Sequence, residues 1–174
     1  GPTMVRAAAK NYQDVAVITS SNQYGELINE LKKNNGSTTL IFREKLSRIA
    51  FTETAYYDSV ISNYFNKISN TIFPEKKIFH ANLIEKPRYG ENPHQKSGIY
   101  SKNLNMNIKQ INGKQLSYNN YNDIFAALNI SKSLPKNIGT VIVKHGNPCG
   151  VSIRKNHVES YLSALSCDPV SAFG

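Results

Sequence analysis

Residues 141–150 read VIVKHGNPCG. The stretch begins with a β-branched apolar run, 141–143, which is followed by a lysine and a histidine. With Thr140 in front of it, the run predicts a central strand buried on both faces. In open α/β sheets, ligands bind beyond the carboxyl ends of the strands, which is where Lys144 and His145 would lie. Two glycines and a proline come next, so we expect 146–150 to form the turn that leaves the strand.

The sequence around this strand alternates between helical and extended patterns. Helices are predicted over 2–11, 23–33, 37–68, 119–133 and 157–165, and short strands over 14–19, 77–83, 98–102 and 107–111. In the longest helix, apolar residues at helical spacing predict a side that faces the core, formed by Leu46, Ile49, Tyr57, Val60, Ile61, Tyr64 and Ile68. Residues 69–74, SNTIFP, combine turn formers with a proline and predict a domain boundary. The alternation predicts an α/β fold.

Charge and cysteine content limit the classes of function. The chain has 21 Lys and Arg against 12 Asp and Glu, a net charge of +9, which suits a polyanion or small anionic substrates. The cations are scattered, which disfavours nucleic acid. Two cysteines without a CxxC pattern disfavour disulfides and zinc and fit a reducing cytoplasm. The longest apolar stretches are far shorter than the roughly 20 residues of a membrane span.

Two pairs of basic residues are candidates for chemistry. A partly desolvated lysine beside a histidine lowers the basicity of both, which suits a general base near neutral pH. The alternative for Lys144 and His145 is a surface lysine and a histidine bonded to a loop carbonyl. Arg6 and Lys10, four residues apart, share one helix face, and the alternative for them is a solvated basic surface.

Two polar segments add further candidates. Within 87–95, PRYGENPHQ, Arg88 and Tyr89 suit phosphate recognition, and a tight turn would bring His94 back toward them. Its alternative is a solvated polar loop. Within 113–123, GKQLSYNNYND, the residues Ser117, Asn119 and Asn120 are candidate caps of the next helix. Asn120 is also suited to hold the carboxamide and ribose of a ligand.

Six motifs, in this order, resemble the AICAR formyltransferase/IMP cyclohydrolase family of bifunctional purine-biosynthesis enzymes, where AICAR is 5-aminoimidazole-4-carboxamide ribonucleotide. They are GPTMVRAAAKN, AYYDSVISNYF, RYGENPHQ, LSYNN, VKHGNPCG and DPVSAFG. The resemblance covers essentially the whole chain. It is specific, because RYGENPHQ, SYNN and KHGNPCG agree in both order and approximate spacing.

The resemblance implies a fold for each part of the chain. The family combines an amino-terminal cyclohydrolase domain of methylglyoxal-synthase-like α/β fold with a formyltransferase region built from cytidine-deaminase-like units. On that pattern, residues 1–68 are the last part of the cyclohydrolase domain and 69–76 are a linker. Residues 77–174 are then the beginning of the formyltransferase domain.

The resemblance also implies roles for individual residues. Lys144 and His145 match the catalytic pair of formyl transfer, with His145 as the base. The other implied residues are His94 near the pair, Arg88 and Tyr89 at the nucleotide, Asn120 as the residue that orients the substrate, and Lys10 as the residue that assists ring closure, with Arg6 and Asn11 as its neighbours.

Ligands and partners follow from the same resemblance. It implies 10-formyltetrahydrofolate as co-substrate, with AICAR, formyl-AICAR and IMP as the other ligands. It further implies a cytoplasmic homodimer that uses no metal, nucleic acid or membrane. Both sites of the family also draw on residues outside this sequence, so we expect the polypeptide alone to be inactive in both reactions.

Two other interpretations remain open at this stage. One is an unrelated enzyme with a covalent step, in which Lys144 forms a Schiff base or Cys149 is a nucleophile paired with His145. The other is a basic module that binds nucleotides or nucleic acid, with an affinity that falls steeply with salt.

Overall fold

The computed structural model describes residues 1–103, 106, 108–136 and 138–172. The chain forms two compact units, the first ending at His80 and the second beginning at Ala81. Helices and short strands are mixed along the chain, as the α/β prediction requires. None of the helices in the described ranges is long and apolar enough to cross a membrane.

Three α-helices make up most of the first unit, and all three are predicted by the sequence. They are α1 (Pro2–Lys10), α2 (Tyr24–Lys33) and α3 (Leu40–Ile68). Pro2 opens α1, where its missing N–H would have had no helical partner. Ser20 and Gln23 form a reciprocal capping box before α2. The Thr39 side chain accepts a hydrogen bond from Phe42 N–H and begins α3.

The core of the first unit lies where α1 packs on α3. Its buried residues are Ala9, Val17, Phe42, Leu46 and Ala50. Alanines on both helices allow their backbones to approach closely, and the buried Ser47 hydroxyl donates to the Ala9 carbonyl over 2.7 Å. This hydrogen bond fixes the position of α1 along α3.

Two sequence predictions for the first unit are wrong. Residues 15–20 form no regular secondary structure and have no strand partner among the described residues, so the predicted strand 14–19 is not a β-strand. Only the start of the apolar stripe on α3 is buried. From Tyr57 onward its predicted members are exposed, because the 29 residues of α3 extend for about 44 Å and the nine of α1 for about 14 Å.

The described residues of the second unit form two antiparallel strand pairs and two helices. Its elements are β1 (Asn82–Glu85), β2 (Ile99–Ser101), α4 (Tyr118–Ser131), β3 (Gly139–Lys144), β4 (Asn147–Ile153) and α5 (His157–Leu165). The predicted helices and the predicted strands 98–102 and 140–144 are confirmed. The strand predicted over 77–83 begins at Asn82 instead. Of the strand predicted over 107–111, Asn107 lies outside the described residues and 108–111 have no regular structure.

The environment predicted for β3 is wrong. This strand pairs antiparallel with β4 in a two-stranded sheet, and all six of its residues are half-buried rather than enclosed on both faces. The turn between the strands consists of His145 and Gly146, and the rest of the predicted turn 146–150 belongs to β4. Pro148 hides this strand in the sequence because proline is rare inside sheets.

The β3–β4 hairpin is held between α4 and α5. Gly150 of β4 lies against the backbone of α5, where a Cβ would come within 2.1 Å of the Ala164 carbonyl oxygen. The buried Ser160 hydroxyl accepts from Arg154 N–H over 2.8 Å and donates to the Ile138 carbonyl. These contacts anchor the strand ends, so the hairpin presents its turn from a fixed base.

Candidate functional site

The turn that carries His145 has an unusual backbone for the residue it contains. Lys144 and Asn147 pair at its ends, and the two residues between them have positive φ angles, 53° for His145 and 74° for Gly146. Positive φ at both central residues is the geometry of a type I′ hairpin turn. Glycine accepts it readily, whereas any residue with a side chain is uncommon there, although histidine is found there more often than most. The imidazole is therefore placed at the tip of the hairpin by a constrained backbone.

A β-bulge follows the turn directly. Ile142 pairs with Gly150 and Val143 with Pro148, which leaves Cys149 as the extra residue. The Cys149 thiol lies 3.6 Å from the Ile142 carbonyl and is half-buried. Bulges bend a strand and redirect its side chains, and they are frequent beside active sites.

Lys144 and His145 line a common cavity of about 440 Å³. Its other lining residues are Asn147, Pro148, Cys149, Val170 and Ser171. Val170 and Ser171 lie on a turn in which Ser171 N–H donates to the Asp168 carboxylate over 3.0 Å. Hydrogen bonds from Ser171 lower the pKa of Asp168, so this turn is held by a carboxylate that stays charged. We call this space the hairpin cavity.

His145 also borders a second cavity, of about 280 Å³, on the side of α4. It is lined by Glu91, Tyr118, Asn119, Asn122, Asp123 and His145, and we call it the helix cavity. The imidazole thus lies between an amide- and carboxylate-rich space and the space occupied by Lys144. A third cavity, of about 480 Å³, is lined by Lys132, Lys136, Gly139 and His157 among others, and none of the predicted site residues borders it.

Backbone hydrogen bonds join two of the sequence motifs beside the helix cavity. Arg88 N–H donates to the Leu116 carbonyl over 2.9 Å, and Tyr118 N–H donates to the Tyr89 carbonyl over 3.1 Å. The Asn119 amide then donates to the Glu91 carbonyl over 3.0 Å. RYGENPHQ and LSYNN therefore run side by side and meet KHGNPCG at His145.

The structure does not bring Arg88 or His94 to His145. The exposed Arg88 guanidinium lies 4.9 Å from the ring centroid of Tyr89 and donates to its hydroxyl over 3.3 Å. His94 is exposed on the turn that Gly90 and Gln95 close over 2.8 Å. Neither residue borders the two cavities that contain His145. The roles of Arg88 and Tyr89 at the nucleotide, and that of His94 near the catalytic pair, stay predictions.

Asn120 has the capping arrangement that the sequence leaves open. The Ser117 hydroxyl accepts from Asn120 N–H, and the Asn120 side-chain oxygen accepts from Ser117 N–H over 3.0 Å. This reciprocal pair begins α4. The side-chain oxygen of Asn120 is thus engaged within the helix start, and its part in orienting a substrate stays a prediction.

The candidate residues of the first unit lie in the middle of α1, for Arg6, and at its carboxyl end, for Lys10 and Asn11. Arg6 packs against α3, with its guanidinium 5.4 Å from the ring centroid of Phe51 and 3.5 Å from the Thr54 hydroxyl. Lys10 is exposed in the last turn, and Asn11 closes α1 through its backbone N–H. Arg6 therefore has a packing role, whereas Lys10 presents its ammonium to solvent.

Comparison with known proteins identifies the family. The model of the AICARFT/IMPCHase bienzyme family matches residues 8–174. The chain belongs to this family. "Bifunctional purine biosynthesis protein PurH" of Bradyrhizobium diazoefficiens is 44% identical over 180 aligned residues, which cover 100% of this chain and 34% of that protein. The proteins of the same name from Mesorhizobium japonicum and Brucella ovis are each 43% identical with the same coverage. The chain thus spans about a third of the length of these relatives.

Membership of the AICARFT/IMPCHase family disfavours the two other interpretations. Cys149 is explained by the bulge, and neither a covalent mechanism nor a nucleic-acid module is needed to account for the motifs. Both cysteines are free thiols. Within the described part of the chain, no three His, Cys, Asp or Glu side chains cluster as a metal site requires.

Four residues of the helix cavity are not singled out by the sequence analysis. They are Glu91, Tyr118, Asn122 and Asp123, which line it with Asn119 and His145. Asn122 and Asp123 follow Asn119 by three and four positions on α4, so the three share one helix face. This spacing is visible in the sequence. Helix capping also explains the polar residues of this segment, so the spacing alone does not indicate a site.

Proposed function

We propose that this chain carries part of both active sites of a bifunctional enzyme of purine biosynthesis. The enzyme would transfer a formyl group from 10-formyltetrahydrofolate to AICAR and then close formyl-AICAR to IMP. The observation that supports formyl transfer best is the position of His145, which borders both the hairpin cavity with Lys144 and the helix cavity with Asn119. Three motifs far apart in sequence converge on that one imidazole.

In the proposed transfer, His145 acts as the general base. The aromatic amine of AICAR is a weak nucleophile because its nitrogen is conjugated with the ring and its carboxamide. It must lose a proton to the imidazole as it attacks the formyl carbon. The Lys144 ammonium stabilises the negative charge that develops on the formyl oxygen. The new C–N bond remains, the bond to the folate nitrogen breaks, and that nitrogen takes up a proton.

In the proposed ring closure, Lys10 supplies the charge. The carboxamide nitrogen of formyl-AICAR attacks the formyl carbon, and the formyl oxygen leaves as water. A cation beside that oxygen favours its departure. Lys10 is exposed at the end of α1 and suits this role, with Asn11 beside it. Arg6 would contribute to the same reaction from its position against the Phe51 ring.

Domain organisation and partners are part of the same proposal. We assign residues 1–68 to the methylglyoxal-synthase-like cyclohydrolase domain, 69–76 to the linker and 77–174 to the cytidine-deaminase-like formyltransferase domain. The chain divides into its two compact units after His80, four residues beyond the end of the proposed linker. The ligands would be small purine intermediates and the folate, and the enzyme would be a cytoplasmic homodimer.

Single substitutions in the full-length protein test the two-site assignment. His145→Asn removes the imidazole but suits the positive φ of the turn, so we expect formyl transfer to fall by about 10²- to 10⁴-fold. Ring closure of supplied formyl-AICAR should be unchanged. Lys10→Gln should do the reverse, lowering ring closure about 10²-fold. Equal loss of both activities in both variants would contradict the proposal.

A matched control and a ligand experiment complete the test. Asn129→Ala alters an exposed residue of α4 outside both cavities and should leave both activities unchanged. Any binding of RNA by the protein should be displaced by AICAR or IMP. Salt-sensitive RNA binding that neither nucleotide displaces would favour the basic binding module instead.

A further inference from the structure

The peptide bond between His145 and Gly146 is held from both sides. Its N–H, on Gly146, donates to the Asp123 carboxylate over 2.7 Å. Its C=O, on His145, accepts from the Asn147 side-chain amide over 3.1 Å. The orientation of this peptide determines ψ of His145 and φ of Gly146. The two hydrogen bonds therefore fix the conformation of the residue that carries the imidazole.

Such fixing is needed because His145 is held in a sparsely populated conformation. A positive φ at a residue with a side chain is energetically unfavourable and persists only when neighbouring groups enforce it. Asn147 lies in the same hairpin, whereas Asp123 lies on the second turn of α4, 23 residues earlier. Asp123 is thus the link between the hairpin tip and the helix that lines the other side of the cavity.

The neighbouring residue supports the same contact. A Cβ on Gly146 would come within 2.9 Å of the Asn122 amide nitrogen, so the turn lies directly on this part of α4. Only a glycine combines this close approach with a φ of 74°. The carboxylate acceptor makes the hydrogen bond charge-assisted, and such bonds are roughly twice as strong as neutral ones.

We propose that Asp123 is a positioning residue for formyl transfer. It holds the His145–Gly146 peptide and thereby directs the imidazole into the space that Asn119 and Glu91 line. It acts through the backbone of the turn and has no proton-transfer step of its own. The proposal rests on the proposed role of His145 and adds a residue whose removal should slow the chemical step more than substrate binding.

Two variants of the full-length protein test this role. In Asp123→Ala the acceptor is lost, and we expect kcat of formyl transfer to fall by about 10²-fold, the typical effect of a misplaced catalytic group, with little change in KM for AICAR. In Asp123→Asn the amide oxygen can still accept from Gly146 N–H, so this variant should retain most of the wild-type kcat. Ring closure and the thermal unfolding midpoint should stay at the wild-type values in Asp123→Asn.

Each outcome decides between the alternatives. Wild-type kcat in Asp123→Ala, while His145→Asn is slowed as expected, would overturn the positioning role but not the proposed function. An Asp123→Asn variant as slow as His145→Asn would also overturn it. A hydrogen-bond acceptor at position 123 would then not be enough for activity, and the carboxylate itself would be required. If Asp123→Ala loses ring closure too, its fold has failed, and Asp123→Asn alone decides. Absence of formyl transfer from the wild-type protein would overturn both proposals.

Discussion

Tyr121 donates its phenolic proton to the Glu85 carboxylate over 2.5 Å and so joins α4 to β1. Tyr121 is buried, and its ring stacks near Phe125 with the centroids 6.5 Å apart. Burial first, and then the hydrogen bond and the charge of Glu85, raise the pKa of Tyr121 to about 12. Because folding favours the neutral phenol, this contact stabilises the position of α4, the helix that lines the helix cavity, against β1.

The raised pKa of Tyr121 predicts a loss of stability at alkaline pH. Its contribution is complete below the ordinary pKa of 10.0 and is lost as the pH rises toward about 12. The free energy of unfolding, measured by denaturant titration across this range, should therefore fall more steeply in the wild type than in Tyr121→Phe. At neutral pH, Tyr121→Phe should be less stable by roughly 1–2 kcal/mol. Parallel pH profiles of the two proteins would contradict this role.

Gly150 predicts a severe effect from the smallest substitution. In Gly150→Ala the new methyl group would meet the Ala164 carbonyl oxygen at 2.1 Å, and this backbone cannot move without displacing α5. We expect a loss of about 3 kcal/mol in the free energy of unfolding.

Gly25 provides the matched control for Gly150. It lies within α2, and a Cβ added there would have no heavy atom within 4 Å apart from its own helix and chain neighbours. Gly25→Ala should therefore stabilise the protein by about 0.5–1 kcal/mol, because alanine loses less backbone entropy on helix formation. Equal effects of the two substitutions would contradict the close packing of β4 on α5.

The hydrogen bonds of the buried Ser160 hydroxyl predict that its removal lowers the free energy of unfolding. It is fully buried, and its removal in Ser160→Ala would leave Arg154 N–H and the Ile138 carbonyl without this partner. An unsatisfied buried polar group costs about 1–3 kcal/mol, so the free energy of unfolding should fall by that amount. Ser166→Ala, at the exposed end of the same helix, should change stability much less. Similar denaturation midpoints for the two variants would sink this account.

The helices were predictable from the sequence, whereas the pairing of the strands was not. Capping residues and apolar spacing are local signals, and they locate α1, α2 and α5 closely. A run such as 140–144 is equally typical of a parallel strand and of one arm of a hairpin. Two further features concealed the hairpin. Its turn is His-Gly rather than the usual Asn-Gly, and its second strand contains Pro148.

The site was predictable only where its signal is local. Lys144 and His145 are recognisable because two titratable side chains end an apolar run. The role we propose for Asp123 depends on a hydrogen bond to a residue 23 positions away, and nothing in the local sequence records that contact. The exposure of the second half of α3 was unpredictable for a similar reason, because the apolar spacing of α3 does not reveal how far α1 extends beside it.

His145 itself predicts a conflict between stability and activity. The chain contains an Asn-Gly pair in the same backbone geometry, since Asn35 and Gly36 have φ angles of 51° and 86°. Asparagine tolerates positive φ better than most residues with a side chain, and Asn-Gly is the preferred pair in type I′ turns. His145→Asn should therefore raise the free energy of unfolding by about 1 kcal/mol while it lowers the proposed formyl transfer by about 10²- to 10⁴-fold.

The reciprocal change at the other pair controls for this effect. Asn35→His should lower the free energy of unfolding by a similar amount, about 1 kcal/mol, because it places histidine in the conformation that asparagine occupies. Asn35 is exposed and lies outside the residues assigned to either reaction, so both activities should persist. If His145→Asn proves less stable than the wild type while Asn35→His behaves as expected, contacts of the imidazole must outweigh the backbone strain. Histidine would then be retained for stability as well as for its proposed chemistry.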